Sequence, residues 1–283
     1  MSPTGRRLRS LALISLLAAV AACHRVPPAD LSRDPTALLE QVQAAQARAR
    51  RVRGSARVHI SSPQLSGTIT EFIAAEKPDR LRLETVDFFG NPAAVLVSAG
   101  GRFEFLDTRA NVLYRGEASP ENVSRLLPVV LPVEELVTIL CGSAPILPGK
   151  PLEVAVDGGL VLLTIGRGDL GQRVAVGEHA SIEWSRIRRI ERTPTGTREV
   201  APAYDLSFGL FRERGGVRFP TEFELDAPAG HARVELAWQR DLEVNGPIDP
   251  ALFHVEARGA RVVDLPPGAT LPPSDEPPPA RRE

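Results

Sequence analysis

Gly166-Arg167-Gly168-Asp169-Leu170-Gly171 has the spacing of a dinucleotide-binding loop, and it follows the apolar run Leu160 to Ile165. That chemistry needs a helix to open directly after the loop, so that its free amides meet a pyrophosphate. Here Gln172-Arg173-Val174-Ala175-Val176-Gly177 follows and alternates as a strand does, so the glycines fit a hairpin turn. Arg167-Gly168-Asp169 read as an adhesion tripeptide carries no weight, because three residues recur by chance. The five histidines, His24, His59, His179, His231 and His254, stand singly, and no cysteine pair has metal-ligand spacing. No serine sits in a Gly-x-Ser-x-Gly elbow, and the adjacent Glu134 and Glu135 point to different sides of a helix. We therefore expect no enzyme, no metal and no cofactor; a hydrolase would need carboxylates gathered in a cleft by folding.

Cys23 offers a different chemistry. It closes the run Leu16-Leu17-Ala18-Ala19-Val20-Ala21-Ala22, which follows the basic Arg6-Arg7-Leu8-Arg9. A positive start, a short apolar stretch and small residues before a cysteine resemble a bacterial lipoprotein signal, cut before Cys23 and acylated on it, palmitate included. An uncleaved anchor helix is the alternative. Leu11 to Ala22 is too short for it, since a bilayer span takes roughly 20 apolar residues. Lipoproteins retained at the inner membrane usually carry Asp where this chain has His24, so the resemblance implies the outer membrane, with the protein facing the periplasm.

Removing residues 1–22 leaves 261 of the 283 residues, enough for one large β domain, and changes the formal net charge from −1 to −4 through loss of three arginines. Such a balance excludes a nucleic-acid surface, which needs excess basic charge. With Cys23 committed to lipid, Cys141 has no disulfide partner, and its apolar surroundings Leu136 to Leu140 make it a small buried hydrophobe.

Residues 23–33 read as a tether. Asp34-Pro35 is an N-cap followed by a first-turn proline, and Leu38, Leu39, Val42, Ala45 and Ala49 form one face of a helix predicted over Thr36 to Arg51. Gly54 marks its end. The period then becomes two, with strands predicted at Gly67–Ala75, Arg80–Val86, Ala94–Ser98, Arg102–Asp107 and Val112–Arg115. Ser119-Pro120 and Pro132 each open a short helix, to Leu127 and to Gly142, around the apolar loop Leu126–Pro132, which is either a lid or plain packing. Strands resume at Leu152–Val156, Leu160–Ile165, Gln172–Val176, Ile182–Glu191, Ala203–Phe211, Val217–Leu225 and Arg233–Trp238. Pro266 to Glu283, proline-rich and charged, is predicted to be a disordered tail. This order predicts a mainly β antiparallel meander in one domain over residues 34–265.

Three stretches resemble the lipoprotein-localisation-factor superfamily of LolA and LolB. They are Pro78–Glu84 with Phe88-Phe89-Gly90-Asn91-Pro92, then Leu131–Leu136 with Leu140-Cys141-Gly142, and Val244–Pro250 with Leu252-Phe253-His254-Val255. The last is similar to a polar turn before a final strand that holds a phenylalanine. The resemblance implies a strongly curved antiparallel sheet forming a half-open barrel, capped by short helices, around an apolar cavity for acyl chains. Phe88 and Phe89 stand where LolB presents a leucine, and the proline-rich tail has no counterpart, so a LolB-like relative fits better than LolB itself.

The expected function is that of a lipid-anchored binding protein that accommodates an acyl chain, a lipoprotein or another apolar ligand. Phe72, Leu81, Leu83, Phe103, Phe105, Leu131, Leu136 and Leu140 are expected to line the cavity, and Phe88 and Phe89 to touch membrane or ligand. The alternative is a structural or signalling lipoprotein of the same fold that binds a protein partner and no lipid. An open apolar cavity favours the first and a core filled by its own side chains the second.

Overall fold

The computed structural model describes residues 26–271 apart from 64–65, 87–91, 125–128, 194–195, 228–230 and 258, and gives no side chains for 190–203. Cys23, Phe88 and Phe89 lie outside the described residues.

Asp34 caps α1 (Pro35–Gln46) by accepting from the Ala37 amide at 2.8 Å, with Pro35 in the first turn as its sequence position suggests. The helix is shorter than predicted, because Arg51 already begins β1 (Arg51–Ser61). Gly54 is not a stop but a position inside that strand at φ +154°. A Cβ there would lie 2.9 Å from Leu242 Cα, so only glycine admits the crossing segment.

The strands that follow are β2 (Ser66–Glu76), β3 (Arg80–Val86), β4 (Pro92–Ala99), β5 (Arg102–Asp107) and β6 (Val112–Glu117). After α2 (Pro120–Val123) and α3 (Val133–Leu140) come β7 (Lys150–Asp157), β8 (Leu160–Arg167), β9 (Leu170–Val176), β10 (Ile182–Thr193) and β11 (Gly196–Arg214). The last are β12 (Val217–Ala227), β13 (Ala232–Trp238), β14 (Glu243–Val244) and β15 (Arg261–Asp264). All belong to one sheet in the order β15-β6-β5-β4-β3-β2-β1-β13-β12-β11-β10-β9-β8-β7, with β14 beside β1. Neighbours are antiparallel except β15, which runs parallel to β6. The sheet is curved and open, the mainly β half-barrel that the sequence predicts. The glycine-rich loop is a hairpin between β8 and β9, with Gly168 at φ +60°, and no helix opens there.

One face of this sheet, the inner face, is covered by α1 against β7 and β8 and by α3 against β2 and β3. Alternation fills it: Val52, Ala56, Val58 and Ile60 on β1, Ile73 and Ala75 on β2, and Leu81 and Leu83 on β3 are at most 1% exposed. They share a cluster with Leu38 and Val42 of α1 and Leu136, Val137 and Leu140 of α3. Each such leucine contributes about 1.5–3 kcal/mol by leaving water. Gly142 ends α3 at φ +79°, packed so tightly on Phe219 that a Cβ would meet its ring at 2.8 Å.

Two predicted boundaries move. Leu31, in the expected tether, is 5% exposed and belongs to the core, so the tether is shorter than residues 23–33. The expected tail does not begin at Pro266: Asn122 Nδ2 donates to the Ala269 carbonyl at 3.2 Å, the Leu271 amide donates to Asn122 Oδ1 at 2.8 Å, and Leu271 packs against the core. A buried asparagine with matched partners overrides the proline-rich composition.

Candidate functional site

Seven of the eight residues expected to line a cavity are brought together. Leu81, Leu83, Phe103, Phe105, Leu131, Leu136 and Leu140 lie in the one inner cluster, each at most 7% exposed. They are packed on one another and on α3, so this face is filled by the chain's own side chains.

Phe72 is a correction. In β2 residues 71, 73 and 75 face inward, so Phe72 and Ala74 face the other way by strand alternation. Phe72 packs instead on a smaller cluster of Ala74, Val95, Val97, Ile248 and Phe253 on the outer face. The segment covering that cluster is a second correction. Phe253 sits in a one-turn 3-10 helix, Pro250–Phe253, and not in a strand, because Asp249 caps the Ala251 amide at 2.9 Å and Pro250 fixes the first turn. Arg82 Nη1 holds this turn by donating to the Leu252 carbonyl at 3.1 Å, while the Val255 amide donates to Glu104 Oε2 at 2.8 Å.

The inner face contains a group the motif search did not single out. Glu71 is fully buried, and its strand neighbours in register are Ala56 on β1 and Thr85 on β3, with Ala94 beyond on β4. Thr85 Oγ1 donates to Glu71 Oε1 at 3.1 Å, and Oε2 has no partner. Burial raises the carboxyl to about 7, and the Thr85 bond only partly opposes this. The sequence signal was a glutamate two residues from inward-facing isoleucines at 69 and 73.

Several other buried polar groups are satisfied. Gln172 accepts from the Leu147 amide at 2.7 Å and donates to the Pro145 carbonyl at 2.7 Å and to Ser185 Oγ at 2.9 Å. Ser98 donates to the Arg102 carbonyl at 3.2 Å. Tyr204, also in the inner cluster, resembles Glu71: its hydroxyl is buried without a partner, and burial followed by the nearby Glu135 raises its pKa. Glu135, on the first turn of α3, is itself raised by burial and by Glu134. Cys141 is 1% exposed, and burial pushes its thiol up to about 12 despite the opposing charge of Lys77. Among the described residues no group of three His, Cys, Asp or Glu is placed to hold a metal. A protonatable carboxyl in this face can exchange a hydrogen bond with a polar group of a guest.

No family model and no curated protein matches the sequence. Solved structures do match the fold. A DUF1329 family protein from Desulfovibrio piger shares 11% identity at TM-score 0.53, covering 79% of this chain and 98% of that one. A putative outer membrane lipoprotein-sorting protein domain from Vibrio parahaemolyticus shares 13% at 0.52, over 78% and 97%. A LolA superfamily protein from Nitrosomonas europaea shares 9% at 0.51, over 78% and 98%. Likeness at this identity speaks for architecture alone, and it supports a LolA-like fold for this chain.

Proposed function

We propose that this chain is a lipid-anchored, periplasm-facing binding protein of the outer membrane whose inner sheet face takes an acyl chain or another apolar ligand, in lipid or lipoprotein insertion. The observation that carries the reading is the orphaned Glu71 oxygen on the mainly apolar inner face, a group whose missing partner a ligand's hydroxyl or amide would supply. The cover over that face is short. α3 has eight residues and no side-chain cap at its first turn, so little local structure holds it. Exposing the five buried residues Val133, Leu136, Val137, Ile139 and Leu140 would cost about 7.5–15 kcal/mol, and ten buried methylenes return about 8 kcal/mol. An acyl chain therefore returns a large part of what displacing α3 costs, which makes its capture weak and reversible.

A second reading, a protein-binding lipoprotein that holds no lipid, draws on the filled inner face, where Leu81, Leu83 and Leu140 are fully buried. Titration with a fluorescent fatty acid separates the two. Saturable uptake near one equivalent, weakened by Glu71→Leu for a hydroxylated chain more than for a plain one, supports the first. No uptake at any ratio leaves the second.

A further inference from the structure

Around the end of β13, four arginines meet one carboxylate, although Arg57 also borders an adjoining depression that holds Glu222, Glu224 and Glu235. Arg57, Arg212, Arg214 and Arg240 line one open depression of about 610 Å³. All four are exposed, and none is paired with a carboxylate among the described residues, whereas Arg53 and Arg218 near by are neutralised by Glu243 and by Glu178 and Glu183. Arg212 and Arg214 donate only to the carbonyls of the residues before them, at 3.1 Å and 3.5 Å. The one carboxylate lining the depression, Asp241, accepts from the Ser55 amide at 2.9 Å and from Ser55 Oγ at 2.8 Å and keeps its negative charge, so the hollow holds four guanidinium groups against one carboxylate. Four guanidinium groups against one carboxylate in one hollow are a local excess of positive charge in a chain of formal net charge −1.

Guanidinium forks match phosphate oxygens in pairs, and several around one hollow hold a phosphate better than any single one. Beside them stands Leu210, 52% exposed and held at φ +49°. Its carbonyl accepts from Oγ1 of Thr221, another residue of the depression, at 2.8 Å. This leucine combines a left-handed backbone with an apolar side chain in water. Arginines with an adjacent exposed leucine are the combination a bilayer interface rewards, cations on the phosphates and an apolar tip below them.

We propose that this depression binds the phosphates of anionic phospholipid headgroups and rests this side of the protein on a bilayer. The site is independent of what the inner face binds. A soluble anion would need neither so open a hollow nor an exposed leucine.

The test uses the mature chain, residues 23–283 with Cys23→Ala so that no acyl anchor contributes, sedimented with vesicles of phosphatidylcholine alone or mixed with phosphatidylglycerol. Binding is expected to the anionic vesicles, weakened by salt. Arg212→Ser with Arg214→Ser should lower it about 25-fold, at about fivefold for each arginine near an anionic surface. Arg167→Ser with Arg173→Ser, an equal charge change on β8 and β9, should leave it within about twofold. Thermal melts of both variants confirm that each is folded. Equal binding to both vesicle types, or an equal loss in both double variants, would overturn the proposal. So would full competition by millimolar inorganic phosphate, which would make this a site for a soluble anion.

Discussion

Replacing Glu71 by glutamine should change how stability depends on pH more than it changes stability itself. The folded protein keeps the Glu71 proton up to about pH 7, while the unfolded chain releases it near the ordinary value of 4.5. Between those values the native state holds more protons than the unfolded state, so stability falls as pH rises. The contribution is fully present below about pH 4.5 and lost above about 7. At 1.36 kcal/mol per pH unit, the interval integrates to about 3 kcal/mol. Glutamine cannot titrate, so the variant lacks this slope. Its amide leaves N–H donors unmatched near the position of Oε2, a cost of about 1–3 kcal/mol that is independent of pH. Urea unfolding followed by the fluorescence of Trp184 and Trp238, from pH 4.5 to 8.5, gives the difference between the two proteins at each pH. The variant should gain about 3 kcal/mol on the wild type across that range. A constant difference would refute the reasoning, because it would mean that Glu71 either reaches water or has a partner that holds its charge.

Three further outcomes follow from packing. Cys141 should resist a thiol reagent at pH 8 in the native Cys23→Ala chain and react at once in urea, since its thiol is buried and pushed up to about 12. Gly142→Ala forces a left-handed alanine into the Phe219 ring and should lower Tm by about 4–8 °C in a calorimetric scan, for a cost of about 2 kcal/mol. Asn122→Ala removes the anchor of residues 269–271 and should destabilise the fold by about 2 kcal/mol, with limited proteolysis cutting first beyond Leu265.

The sheet was legible wherever alternation was clean and the turn local. Arg80-Leu81-Arg82-Leu83-Glu84 fixes both a strand and its buried face, and β3 spans the predicted residues. Val52, Gly54, Ala56, Val58 and Ile60 alternate just as well, yet β1 was not predicted, because the α1 pattern was carried to Arg51 and Gly54 was taken as a stop. The reason for that glycine is Leu242, nearly 190 positions away in the chain, and no local window contains it. In Ile69-Thr70-Glu71-Phe72-Ile73 polarity does not alternate with facing, so the expected inward position of Phe72 is the reverse of the structure, and the polarity of Glu71 gives no signal of its burial. Asp249-Pro250 repeats the cap-and-proline signal of Asp34-Pro35, and reading it would have given the 3-10 turn around Phe253. The arginine depression was illegible for a different reason: Arg57, Arg212, Arg214 and Arg240 come from three separate stretches and meet only through the pairing of β1, β11, β12 and β13.

The central claim is that the inner face exchanges its own cover for an apolar chain. Mass spectrometry of the mature Cys23→Ala protein, purified from a bacterial periplasm under native conditions and extracted with organic solvent, tests it most directly. The account predicts an acyl-chain lipid recovered near one equivalent per protein, and its loss when Leu83→Arg places a charge in the buried face while the protein remains folded. Recovery of no lipid from the folded wild-type protein would contradict it.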